Sequence, residues 1–281
     1  DASLTFNQFG AELPNSGMNE KGLVVEIMWL ADSRFPAPDG RPVINELQWI
    51  QHILDTCADV DEAMAAAKKF STLAVYAKVH YLVCDASGRC SAFDFLDGAL
   101  RITPPQSITA ACMTNDPYAD SAAFLAEHQG FGGKKKVPQG RGSLARFARA
   151  SALAKKLGAV PGDPVAEAFQ ILDSVSMGDY SKWNLVYDQS RKRVYYRSRG
   201  SWKIKMVNLA SFKASCSTPS MVLDMGQAGQ GDVSARFSPF DQKRNQSLVD
   251  SSLRDLGAGL PPGTAQGLGR LHGSFSCHLS K

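Results

Sequence analysis

The chain has no run of about 18 consecutive apolar residues, so no membrane-spanning helix is expected. It has no CxxC pair, and its five histidines (His52, His80, His128, His272 and His278) show no metal-ligand spacing. Only the tail pair His272 and His278 lies close in sequence, without cysteine at zinc-finger spacing, so no metal site and no cofactor are expected. Net charge is low, +4 over 281 residues, which argues neither for nor against anionic partners. Lys134, Lys135 and Lys136 sit between glycines and Pro138 and read as a solvated basic loop, so no nucleic-acid partner is expected. No internal repeat is evident.

What is present is ordinary globular protein, 44% hydrophobic and 21% charged. The length suits one large domain, read as 1–281 with a core over about 3–210 and a C-terminal arm and tail over 211–281. Six cysteines scattered over this length are not the dense framework of a small secreted domain. Cys57 and Cys112 read as small buried hydrophobes. Cys84 and Cys90 flank the turn 85–89, which leaves two readings, a cross-hairpin disulfide or two free thiols, with the free thiols favoured.

Along the chain, residues 4–10 and 23–30 read as strands joined by a turn region at Pro14-Asn15-Ser16-Gly17. Ile44, Leu47, Ile50, Leu54 and Cys57 repeat at helical spacing, and Asp59 is placed to cap a second helix over 61–70. Residues 78–85 and 89–96 alternate around a short turn and form a hairpin. Strands are expected at 99–103 and 108–113. Helices are expected at 117–129, at 144–157 capped by Ser143, and at 164–175. A last hairpin, 182–187 with 193–198, is followed by a strand over 202–207. Residues 216–240 read as an extended arm with little core, followed by a short polar helix over 246–256. Short turns between strands exclude a doubly wound parallel sheet and give an α+β class.

The segment Leu4-Thr5-Phe6-Asn7-Gln8 followed by GMNEKGLVVEIMWL, residues 17–30, resembles the choloylglycine hydrolase and penicillin V acylase family of N-terminal-nucleophile hydrolases. The resemblance continues in order over about residues 3–200. It runs through Asn45-Glu46-Leu47-Gln48-Trp49-Ile50, the stretch 80–89, Met113-Thr114-Asn115-Asp116-Pro117, Ser143-Leu144-Ala145-Arg146-Phe147 and the stretch 183–196. It implies hydrolysis of linear amide bonds in N-acyl small molecules and a four-layer α/β/β/α sandwich. It also implies a homo-oligomer such as a tetramer, and a periplasmic or secreted location. The family's nucleophile is a cysteine at the mature N-terminus, whereas the first residues here match a point well inside the family pattern. None of Cys57, Cys84, Cys90, Cys112, Cys216 or Cys277 lies at a chain start. The sandwich is therefore expected to be incomplete at its N-terminal strands, leaving residues 4–10 and 23–30 with an unpaired edge or completed by another chain, and the chain as it stands is expected to be inactive. The alternative function is non-catalytic: a fragment, subunit or pseudoenzyme that binds acylated small molecules.

Three residues carry the expected chemistry. Asn115, between Thr114 and Asp116-Pro117, offers a carboxamide that donates without titrating, suited to an oxyanion. By itself this setting is also ordinary helix-start chemistry. Arg146 lies nearly opposite the apolar stripe of its helix, where a solvated arginine is the plain alternative. The resemblance sets it against the nucleophile, where a permanent cation favours thiolate. Trp29 ends the second strand. The resemblance gives its N–H to the oxyanion hole and its indole to an apolar acyl pocket, and argues against bile salts as the preferred substrate.

Overall fold

The computed structural model describes residues 1–75, 77–159, 162–213, 215–256 and 262–274. In chain order the strands and helices begin with β1 (Ser3–Asn7), β2 (Pro14–Asn19), β3 (Val24–Trp29), β4 (Val43–Asn45), α1 (Glu46–Thr56), α2 (Val60–Ala66) and β5 (Ser71–Leu73). They continue with β6 (Val79–Cys84), β7 (Cys90–Leu96), β8 (Ala99–Thr103), α3 (Tyr118–Ala126), α4 (Ser143–Leu157) and α5 (Pro164–Ser174). The C-terminal part holds β9 (Trp183–Asp188), β10 (Arg193–Ser198), β11 (Ser201–Asn208), β12 (Met221–Val222), β13 (Gly231–Asp232), β14 (Ser238–Pro239), α6 (Gln242–Leu256) and α7 (Thr264–Arg270).

Two sheets carry the fold. The larger has the order β1-β2-β3-β6-β7-β8, all antiparallel, and the smaller β13-β11-β10-β9. Alternation along β3 and β6 divides the larger sheet into two faces. Leu23, Val25, Tyr81, Val83, Phe93 and Phe95 pack against α1 and α2 in the main core. On the opposite face Met18 and Val24 meet Val194 and Tyr187 of the smaller sheet. Farther along that face Met28, Leu82 and Ala92 meet Tyr118, Leu125 and Phe147 of α3 and α4. The helices α4, α5 and strand β9 then follow one another in contact.

Local chemistry accounts for the element ends. Asn45 caps α1 by accepting from Leu47 and Gln48 N–H, and Gln48 returns a bond to the Asn45 N–H. Asp59 caps α2 through the Glu62 N–H, as the sequence predicts. Asn19 is fully buried. Its Nδ2 donates to Leu54 O and Cys57 O, and its Oδ1 accepts from Lys21 and Leu23 N–H. One side chain thus ties the β2–β3 turn to the end of α1. Gly22 in that turn has φ +85, and a Cβ there would meet Gln189 O at 2.8 Å.

Five expectations need correction. The stretch Pro14-Asn15-Ser16-Gly17 is strand β2, not a turn. Strand β3 is internal, bonded to β2 and β6, so of the two strands expected to leave an open edge only β1 does so. Residues 108–113 form no strand. The hydroxyl of Tyr118 accepts from Thr109 and Ala110 N–H and donates to Ala110 O, replacing a ladder partner. Cys84 and Cys90 are disulfide-bonded. The bond from Asp85 N to Arg89 O makes them a non-hydrogen-bonded cross-strand pair, which brings their Cα atoms to 4.1 Å. The C-terminal segment is not a bare arm and tail, because Val249 of α6 and Leu268 of α7 join the main core. Cys277 and His278 lie outside the described residues.

Candidate active site

Strand β3 delivers Trp29, the segment after β8 delivers Asn115, and the first turn of α4 delivers Arg146. The three meet. Asn115 Nδ2 donates to the carbonyl oxygen of Trp29 at 2.8 Å, and Arg146 Nη2 donates to Asn115 Oδ1 at 2.5 Å. A guanidinium only donates and a carbonyl only accepts, so the carboxamide has one possible orientation. Among the described residues its second Nδ2 hydrogen meets no acceptor.

The register of β3 explains the first contact. Trp29 pairs with Val79, and Leu30 N–H bonds Lys78 O, so Trp29 and Val79 form a non-hydrogen-bonded pair. The C=O and N–H of Trp29 therefore point away from β6, toward the side from which Asn115 arrives. Trp29 as a residue is 56% exposed. It is the backbone of Trp29, not its ring, that meets Asn115.

Arg146 is half-buried, and burial is the main cause of a guanidinium pKa below its usual value, with neighbouring Arg149 next. Its Nε also donates to Arg141 O at 3.3 Å. Arg149 is held by Ser174 O and Gly140 O. These are backbone carbonyls, and the carboxylate of Asp116 offsets part of the charge on Arg146.

Beneath the site lies a polar network that the sequence analysis did not single out. Asn115 N–H donates to Ser143 Oγ at 2.7 Å. The Ser143 hydroxyl donates to Thr114 Oγ1 at 3.0 Å, and Thr114 Oγ1 donates to Ser143 O at 3.2 Å. Ser143 is therefore not the helix cap expected. It is the first residue of α4, Gly142 takes the cap position, and its hydroxyl is spent on the Asn115 segment. Deeper still, the ring of His80 bridges Asp94 Oδ1 at 2.6 Å and Thr114 O at 2.7 Å. Asp94 Oδ2 accepts from Tyr118 N–H at 3.2 Å. His80 and Asp94 are both buried. The signal that finds them in the sequence is hairpin register: Cys84 opposes Cys90 and Tyr81 opposes Phe93, so one step farther out His80 faces Asp94.

The described cysteines provide no ready nucleophile. Burial pushes the Cys112 thiol up to about 11 and raises that of Cys57 as well. Cys84, Cys90 and Cys216 are disulfide-bonded. Among the described residues no group of His, Cys, Asp and Glu is arranged to hold a metal ion, and no helix is long and apolar enough to cross a membrane. A surface groove of about 480 Å³ is lined by His52, Thr56, Glu62, Lys69 and Phe70. It belongs to α1, α2 and the segment after them, not to the Asn115 cluster.

Residues 8–222 match the sequence model of the linear amide C-N hydrolases, choloylglycine hydrolase family. The penicillin V acylase of Pectobacterium atrosepticum is 26% identical over 281 residues, covering 85% of this chain and 74% of that protein. Among solved structures, the penicillin V acylase from Agrobacterium tumefaciens superposes with a TM-score of 0.71 at 23% identity, over 81% of this chain and 78% of that one. A conjugated bile acid hydrolase from Clostridium perfringens superposes with a TM-score of 0.63 at 16% identity, over 72% and 74%. At these identities the structural likenesses speak for the fold.

Proposed function

Because this chain belongs to the linear amide C-N hydrolases of the choloylglycine hydrolase family, we propose that it cleaves the amide of an N-acyl small molecule with Asn115 as oxyanion donor and Arg146 as the cation beside the nucleophile. The supporting observation is the Trp29–Asn115–Arg146 chain of contacts. It leaves one carboxamide hydrogen with no acceptor among the described residues, beside a backbone N–H and a positive charge.

In this reading a cysteine thiolate attacks the amide carbon. The developing oxyanion is received by Asn115 Nδ2–H and the Trp29 N–H. The amine departs with a proton, and water then hydrolyses the thioester to release the acid. Since the described thiols are bonded or held protonated by burial, the nucleophile is placed on the family's mature N-terminal cysteine, ahead of Asp1. Residues 1–281 alone are then inactive. The fold is read as a four-layer α/β/β/α sandwich completed by that strand. The Cys84–Cys90 disulfide supports an oxidising compartment, periplasmic or secreted.

The substrate class is an apolar acyl group on a small amine, as in penicillin V or an acyl homoserine lactone, in preference to conjugated bile salts. The test measures turnover of penicillin V, an acyl homoserine lactone and a glycine-conjugated bile salt by full-length protein and by residues 1–281. The expected result is activity in the former on the first two substrates and none in the latter. Turnover by residues 1–281 would overturn the nucleophile assignment, and a preference for bile salt the acyl assignment.

A further inference from the structure

His80 and Asp94 lie on the inner face of the β6–β7 hairpin, 0% and 3% exposed. Two apolar side chains would fill this volume without needing partners. We propose that the His80–Asp94 pair is a positioning device that fixes the placement of Asn115; the proposal rests on the reading of Asn115 as oxyanion donor.

The argument begins with hydrogen-bond demand. Thr114 O only accepts, so His80 Nε2, 2.7 Å away, carries a proton. His80 Nδ1 lies 2.6 Å from Asp94 Oδ1. A ring protonated only at Nε2 facing a bare carboxylate would set two lone pairs against each other. A second proton therefore sits between Nδ1 and Oδ1, and the pair as a whole is neutral. That suits a site closed to water, where an unpaired charge is costly.

The direction of the remaining bonds supplies the role. Among the described residues, the pair's hydrogen bonds to other groups go to Thr114 O and Tyr118 N–H. These two backbone groups bracket Asn115 on either side. The pair thus pins both ends of a five-residue segment that has no sheet ladder, while Ser143 holds its middle through the Asn115 N–H. Removing the pair frees the backbone from which the carboxamide projects. Donor placement within a few tenths of an ångström decides how well a forming oxyanion is held.

The test uses the full-length enzyme with its preferred N-acyl substrate. Asp94→Leu is expected to lower kcat about 10- to 100-fold, with KM changed less than about threefold. Asp94→Asn restores most of it, since a carboxamide donates to Nδ1 and still accepts from Tyr118 N–H. On an Asn115→Ala background Asp94→Leu adds less than about twofold, because the group being positioned is gone. Should Asp94→Leu not fold, His80→Asn, too short to span both partners, takes its place with the same expected losses. Hydrogen exchange at the Asn115 amide is expected to accelerate in the apolar variant and not in Asp94→Asn. Equal losses on both backgrounds, an unchanged kcat, or unchanged exchange would overturn the positioning role. If the wild-type enzyme turns over none of the amides, the functional reading fails, and the exchange measurement still decides whether the pair orders the segment.

Discussion

Asn115 and Trp29 lie 86 positions apart, and a 2.8 Å hydrogen bond joins the side-chain nitrogen of one to the backbone oxygen of the other. Arg146 then fixes the carboxamide from its opposite end. The orientation of the Asn115 carboxamide is set by partners that can each play only one part. Asn115→Ala is expected to reduce kcat about 10²- to 10³-fold in the full-length enzyme. A normal melting curve would show that the fold survives, and a loss below tenfold would remove Asn115 from the oxyanion role.

Arg146 contributes geometry as well as charge. Lysine keeps the charge but lacks the planar fork that reaches Asn115 Oδ1 and Arg141 O together. Arg146→Lys is expected to retain an intermediate activity and Arg146→Ala the least. In the alanine variant the nucleophilic thiol should also be alkylated more slowly at neutral pH, its pKa having risen. An alkylation profile identical to wild type would place Arg146 away from the thiolate.

Glu26 gives the fold a pH dependence of definite sign. Enclosed between the sheets beside Tyr187 and Ser16, its carboxyl is pushed by burial from 4.5 to about 8. The folded state holds this proton more tightly than the unfolded chain. The Glu26 contribution to stability is therefore fully present below about pH 4.5 and is lost as pH rises to about 8. Urea unfolding across this range should show that decline, and Glu26→Gln should flatten it. An unaltered slope in the variant would assign the dependence to other groups.

Asn19 makes four hydrogen bonds in full burial. Asn19→Ala leaves Leu54 O, Cys57 O and two N–H groups short of a partner, and is expected to cost about 3 kcal/mol of stability. Urea midpoints measure this. A loss under about 1 kcal/mol would mean that water or a shifted backbone replaces the side chain.

Elements with strong local punctuation were legible in the sequence. The β6–β7 hairpin, the cap Asp59, and the helices α1, α4 and α5 follow from periodicity and turn chemistry. Strand β2 was not, because Pro14, Asn15, Ser16 and Gly17 spell a turn. The glycine answers a tertiary demand, since a Cβ on Gly17 would lie 2.8 Å from both Leu4 O and Leu54 Cδ1. The expected strand at 108–113 failed for the reverse reason. An apolar pattern was there, but a tyrosine hydroxyl from α3 took the backbone groups a neighbouring strand would have used. At the site, spacing alone left Asn115 a turn residue and Arg146 a solvated one. Ordered motifs singled them out, and their contact with Trp29 exists only in three dimensions. His80 and Asp94 were readable from hairpin register, yet nothing local says that the segment resting on them carries Asn115.

The hydroxyl of Ser143 has a mechanical consequence for the loop that precedes it. Because Ser143 bonds to both Asn115 N–H and Thr114 Oγ1, the start of α4 is fastened directly to the segment it serves. The connection between α3 and α4 reaches the pair through its last residues, where Arg141 O accepts from Arg146 Nε, while its tip is closed on itself by Lys135 N–H to Glu127 O and Gln129 N–H to Lys135 O. Replacing the exposed side chains of Lys134 and Lys136 changes the charge of that tip and leaves the Ser143 fastening beneath it untouched.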